Sequence, residues 1–122
     1  MSEFSTADVM AIAEVAHEAN RVWCRLHGDN TQSDFKNAEG WQVKSACDGV
    51  LWRLEHPDEP VSAQHDQWMK DKLADGWIYG PQKNIEKKTH PSLVAFEKLS
   101  SYEKMKDSLF TAIVEALAPN QI

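Results

Sequence analysis

Gly76-Trp77-Ile78-Tyr79-Gly80-Pro81-Gln82-Lys83-Asn84-Ile85-Glu86-Lys87-Lys88-Thr89-His90-Pro91 is the longest stretch of this chain in which helical periodicity disappears. Gly76 supplies a helix stop, and Trp77-Ile78-Tyr79 alternates aromatic and β-branched residues as a short strand does. Gly80-Pro81 enforces a turn, and Pro91 holds His90 extended by disfavouring the helical region for the residue before it. The segment reads as a short β element near residues 77–79 followed by an irregular loop. Connections of this length without regular structure are often functional.

Outward from this segment the chain is helical. Upstream, residues 62–75 form a helix with Ser62 as its N-cap and His65, Trp68, Met69 and Leu73 as a partial apolar stripe. His56-Pro57-Asp58-Glu59-Pro60 breaks the chain before it, because two prolines three apart prevent a continuous helix. Residues 39–54 carry Val43, Ala46, Cys47, Val50, Leu51 and Leu54 on one side. Residues 7–26 repeat Val9, Ile12, Ala13, Ala16, Asn20, Trp23 and Leu26 at helical spacing, with Gly28 as a stop and Ser5 or Thr6 as a cap. Residues 29–37 form a polar loop. Downstream, residues 97–99 make a single turn, and residues 101–117 form the last helix, capped by Ser101, with a wide face of Tyr102, Met105, Leu109, Phe110, Ile113, Val114 and Leu117. The expected fold is mainly α, about four helices around one core, and residues 1–122 read as a single domain.

Length and charge narrow the function classes. At 122 residues the chain can bury roughly two thirds of its unfolded surface in one core. With 13 Lys plus Arg against 19 Asp plus Glu the formal charge is −6, which argues against a duplex nucleic-acid surface. A small anion pocket needs only a few local cations and is compatible with it. No run approaches 18 apolar residues and Met1-Ser2-Glu3-Phe4 has no basic segment, so a membrane span and a signal peptide are not expected and a cytoplasmic protein is. Cys24 and Cys47 read as free thiols in a reducing compartment. Five tryptophans against two tyrosines is an unusual ratio for a small acidic chain, and an indole N–H wants a partner, so several are expected at a pocket rim.

The loop itself suits an anion. Lys83, Lys87 and Lys88 face only Glu86, a local net of +2 in a chain of −6. Two rings, a rigid turn, three ammonium groups and a fixed imidazole fit a flat anionic ligand, with a ring face for the base and cations for the phosphates. The competing reading is plainer: Trp77 as a core plug and the lysines as solvated turn residues.

Gly76-Trp77-x-Tyr79-Gly80-Pro81, then Lys87-Lys88-Thr89-His90-Pro91-x-Leu93-Val94, then a short acidic turn ending in Leu99, resembles the ryanodine-receptor repeat (RyR) domain. His65-Asp66-x-Trp68 and Lys72 look like the opening helix of that repeat, and Ala16-His17-Glu18-x-Asn20-Arg21 is similar to the first helix of small bacterial and phage relatives. The resemblance covers residues 61–114. Ala95-Phe96 stands where the family has Pro-Tyr, Asn84 where it has Asp, and Ser100 where proline is common. The resemblance implies binding of an adenine-nucleotide-like or nucleotide-derived signalling molecule, stacked on Trp77, by a sensor or sequestering protein of a conflict system. It implies no cofactor and no catalysis.

One repeat supplies one wall. Ala16-His17-Glu18 and Gly40-Trp41 echo Gln64-His65-Asp66 and Gly76-Trp77, so residues 7–56 read as a degenerate half-repeat that adds the second wall through Trp41 or Trp52, with His17 and Asn20 for edge contacts. A second copy of the chain, in a homo-oligomer, is the rival source. The candidate ligand residues are Trp77, Tyr79, Lys83, Lys88, His90, Trp41, Trp52, His17, Asn20 and Trp68. Trp77 is expected to border a concave pocket with the 79–91 loop and at least one of Trp41, Trp52 and Trp68. Cys24-x-x-His27 with Cys47 is too sparse for structural zinc, and no catalytic motif is present. A protein-interaction module with a Trp-rich face is the alternative from another class, and a nucleotide-processing enzyme the third.

Overall fold

The computed structural model describes residues 4–119. Four helices, α1 (Thr6–Leu26), α2 (Gly40–Glu55), α3 (Val61–Ala74) and α4 (Ser101–Leu117), carry most of the chain. Between α3 and α4 lie two two-residue strands, β1 (Ile78–Tyr79) and β2 (Thr89–His90), and 3-10 turns cover Phe35–Asn37 and Phe96–Lys98. The mainly helical architecture with one short β element is the one the periodicity predicts. Among the described residues, no helix is long and apolar enough to cross a membrane.

The core is the meeting of the apolar stripes of α1, α2 and α4. Val9, Ile12, Ala13, Val50, Leu54 and Val114 are buried together, and Phe35, Leu51 and Phe110 pack on them half-buried. Removing this aliphatic surface from water supplies the main driving force. Gly49 lets α4 approach α2, since a Cβ there would stand 3.2 Å from the Phe110 ring.

Helix starts differ from the sequence expectation by one or two residues. Ser5 caps α1 by accepting from the Asp8 N–H. Ser100 rather than Ser101 caps α4, accepting from the Glu103 N–H at 3.2 Å. Pro60 rather than Ser62 precedes α3, a position where the missing N–H of proline costs nothing. The inward stripe of α3 also differs. Gln64, His65 and Lys72 are buried, whereas Leu73 is 57% exposed. Positions 64, 65 and 72, with half-buried Trp68, keep helical spacing, but the three buried residues are polar.

Arg53 explains how such a helix packs. Its guanidinium is 1% exposed and has no carboxylate partner; it donates instead to backbone and amide oxygens. Nε reaches Gln64 Oε1 at 3.0 Å, Nη1 reaches the carbonyls of His56 and Glu59, and Nη2 reaches that of Pro60 at 3.2 Å. Gln64 in turn donates to the Gly49 carbonyl at 3.2 Å. One side chain thus fastens α2, the 56–60 turn and α3 together. Desolvation lowers its pKa from the ordinary arginine value, and Glu115 and Glu59 oppose that effect.

β1 and β2 pair in parallel, Ile78 opposite Thr89 and Tyr79 opposite His90. Gly80 is required at their contact, because a Cβ would fall 2.6 Å from that of Thr89. Gly40-Trp41 opens α2 whereas Gly76-Trp77 follows α3, with Gly76 at φ +90°, so the two dipeptides occupy different local structures.

Arg53→Met should lower stability by about 2–4 kcal/mol, because it strands several buried oxygens at once. Urea unfolding measures this. Arg53→Lys should recover only part of the loss, since one ammonium cannot span the four acceptors. A midpoint unchanged in Arg53→Met would show that the network contributes nothing net.

Candidate functional site

A cavity of about 260 Å³ opens between the four helices and the loop after β1. Its walls come from both halves of one chain: Ala16, His17 and Asn20 of α1, Trp41 and Gly49 of α2, His65, Trp68 and Lys72 of α3, Lys83 and His90 of the loop, and Lys106, Asp107 and Phe110 of α4. Residues of the 7–56 half, Trp41, His17 and Asn20 among them, thus line the cavity together with the second half.

Six of the ten sequence candidates meet there: His17, Asn20, Trp41, Trp68, Lys83 and His90. The other four do not line it. Trp77 is 3% exposed and lies behind the wall, its ring 5.3 Å from Trp41 and 6.3 Å from His90. It props the pocket instead of facing it. Trp52 stacks on His56 at 4.6 Å, with the Arg53 guanidinium 5.3 Å from its ring. Tyr79 is 56% exposed on β1. Lys88 sits at φ +53° and donates to the Asp75 carbonyl at 2.8 Å, so it satisfies the C-terminal end of α3 and complements that helix's dipole.

The cation that takes the place of Lys88 is Lys72. It is 8% exposed, with Nζ 4.8 Å from the Trp41 ring and 5.2 Å from the Trp77 ring. Cation–π attraction to two indoles holds it. Among the described residues no carboxylate forms an ion pair with it. Lys83 approaches the same Trp41 ring at 5.4 Å; its stem is exposed while its ammonium end enters the pocket. Burial lowers the pKa of both lysines, and each is pushed further down by a neighbouring lysine. The pocket mouth thus carries two crowded, partly dehydrated ammonium groups beside one indole.

Of the three pocket histidines, His65 and His90 are pushed in opposite directions. His65 is 3% exposed; its Nε2 meets the Val94 carbonyl at 2.8 Å and its Nδ1 lies 3.3 Å from Asp107 Oδ2. The second contact is off-line, so it is an ion pair and Oδ2 has no hydrogen-bond partner. Burial opposes charge on His65, but Asp107 and the Val94 carbonyl outweigh it and raise its pKa. Burial first, then Lys83, Lys106 and Lys72, depress His90 from 6.5 to about 4. His90 Nδ1 accepts the Ser92 N–H at 3.1 Å, which leaves the proton on Nε2. The fixed imidazole of His90 is thus a neutral donor.

The wall from α1 is held by two side chains of the 16–21 motif. His17 Nε2 contacts the Ser33 carbonyl at 2.8 Å, and Glu18 Oε2 accepts the Phe35 N–H at 2.9 Å while Oε1 takes Arg21. The Phe35 N–H is the main reason the Glu18 pKa is lowered. Cys24 is buried and Cys47 half-buried beside Met10; His27 turns back onto the Trp23 carbonyl.

Fold and pocket together define a small α-helical domain with a ring-lined, cation-bearing cavity shared by its two halves. Residues 53–118, more than half of the chain, match the family model of the RyR domain, and the chain belongs to that family. The match begins at Arg53, which places the helix lock inside the family region.

The histidines predict a pH signature. His65, raised in the folded state, contributes stability that is complete below 6.5 and lost as pH rises through its folded value. His90 is depressed, so the unfolded chain takes a proton that the folded one refuses, and stability falls as pH drops from 6.5 towards 4. His90→Gln should therefore lose less stability than the parent over that interval, read from urea midpoints. Equal acid sensitivity of the two proteins would contradict the assignment. Imidazole NMR should show His65 protonating well above His90.

Proposed function

We propose that this protein is a cytoplasmic binding module for an adenine-nucleotide-like anion, acting as a sensor or sequestering protein for a nucleotide-derived signal in a bacterial or phage conflict system. The observation that carries the reading is Lys72. A buried ammonium without an anionic partner costs stability, and that cost is offset when a ligand brings the anion. Lys72 and Lys83 share the Trp41 ring, at 4.8 and 5.4 Å, so one phosphate group between them would relieve both. At the other end Trp68, Phe110 and neutral His90 offer ring surface and an N–H to a base.

The volume, about 260 Å³, is just below the usual range of roughly 300–1,000 Å³ for small-molecule sites, which suits a base with its first phosphates rather than a polymer. All five tryptophans are buried or half-buried, which favours pocket walls over an open Trp-rich docking face.

Calorimetry with AMP, ADP and ATP tests the reading. Trp68→Ala should cost about 1–3 kcal/mol of affinity, nearly independent of salt, as base stacking does. Lys83→Ala and Lys72→Met should each cost on the order of 1.5–3 kcal/mol, the scale of a charged hydrogen bond, and less at high salt. Lys72→Met should melt no lower than the parent, because it removes an unpaired buried charge. Lys88→Ala should bind normally. No nucleotide binding by the parent, or full affinity in Lys72→Met, would refute the proposal.

A further inference from the structure

Outside the pocket mouth lies a second, more open cavity of about 620 Å³ between the 31–33 loop and residues 83–86. It is continuous with the first in one respect that matters: Gln42 and Lys83 line both. Its chemistry is different. Glu39 and Glu86 face it against the single cation Lys83, and the rest of its polar lining is hydroxyl and amide, from Thr31, Gln32, Ser33 and Asn84. No aromatic ring lines it.

We infer that the ligand is bipartite: a nucleoside phosphate whose terminal phosphate carries a neutral, hydroxyl-rich group, such as a glycosyl unit, seated in this outer groove. The inference rests on the nucleotide reading of the inner pocket. Its argument is electrostatic order along the cleft. Rings and Lys72 line the first cavity, Lys83 is shared by both, and carboxylates, hydroxyls and amides line the second. A ligand that follows this order has its base inside, its phosphates at Lys72 and Lys83, and hydroxyl donors beyond. Carboxylates and side-chain carbonyls accept from hydroxyls, whereas a further phosphate would meet two carboxylates and a cation already engaged. Lys83 is the hinge of this order because it is the one cation common to both cavities. Glu86 reports on the outer part alone, since it does not line the inner pocket.

Three ligands that share one nucleoside and differ beyond it separate the outcomes: ADP, ATP and ADP-glucose, measured by calorimetry on the full chain. ADP-glucose should bind about fivefold tighter than ADP or better, the gain of one well-made neutral hydrogen bond, and ATP no tighter than ADP. In Glu86→Lys the ATP affinity should rise several-fold, ADP should be unchanged, and the ADP-glucose advantage should shrink. ATP tighter than ADP in the parent, or ADP-glucose no tighter than ADP, overturns the bipartite inference while leaving the nucleotide pocket intact. If none of the three binds, the nucleotide reading itself falls.

Discussion

Everything on the pocket side of this molecule hangs from the Arg53 guanidinium. Among the described residues it pairs with no carboxylate, but its planar fork of five donors spreads the charge over several carbonyls. By taking the carbonyls of His56, Glu59 and Pro60, it folds the proline-bounded turn back on α2 and fixes where α3 begins. By taking Gln64 it passes the constraint on, because Gln64 donates to Gly49, and both residues line the cavity. The register of α3 follows from this, and with it the inward direction of His65, Trp68 and Lys72. A helix whose buried stripe is largely polar would not choose its face by hydrophobicity alone.

This explains what was legible in the sequence. The helices at α1 and α4 announce themselves because their core stripes are apolar and repeat at the helical period. The β element was legible from Gly76, Gly80 and Pro91, where backbone chemistry leaves few choices. In α3 the same periodicity argument picked Leu73 for the inside, yet Leu73 is 57% exposed and Lys72 is 8% exposed. The signal was present as the spacing 65, 68, 72, but a lysine in a charged helix reads as solvated until two indoles are known to flank it. Trp77 misled for the converse reason. A glycine-preceded tryptophan beside a loop looks like a pocket face, and only the placement of Trp41, distant in sequence, reveals that its ring is covered. Lys88 was assigned by local charge, while its actual partner, the Asp75 carbonyl, lies thirteen positions upstream.

The pocket's electrostatics are built from groups that discourage one another. Burial lowers Lys72, Lys83 and His90 first; Lys83 adds to the effect on Lys72, Lys106 to that on Lys83, and all three lysines to that on His90, which is lowered to about 4. Asp75 and Asp71 offset part of the burial effect on Lys72, and Asp29 part of it on Lys83, but only at His65 do the favourable partners, Asp107 and the Val94 carbonyl, outweigh burial. Such a cluster is only partly compensated within the chain. Partial internal compensation is the usual state of a site whose missing partner is a ligand, since charges already neutralised by protein groups have little left to give.

The overall charge then acts as a filter. A chain of −6 surrounds a cavity whose mouth is cationic, so attraction exists only at short range, inside roughly the 8 Å over which physiological salt lets charges act. A duplex or a long single strand would have to lay most of its phosphates on an acidic exterior and would be repelled there. A small anion can bring its few charges wholly within the mouth and escape that penalty. Size, ring lining and charge order therefore select in the same direction. Under the proposed function the acidic surface, at first sight an argument against any phosphate-bearing ligand, confines recognition to one short enough to fit between Trp68 and Lys83.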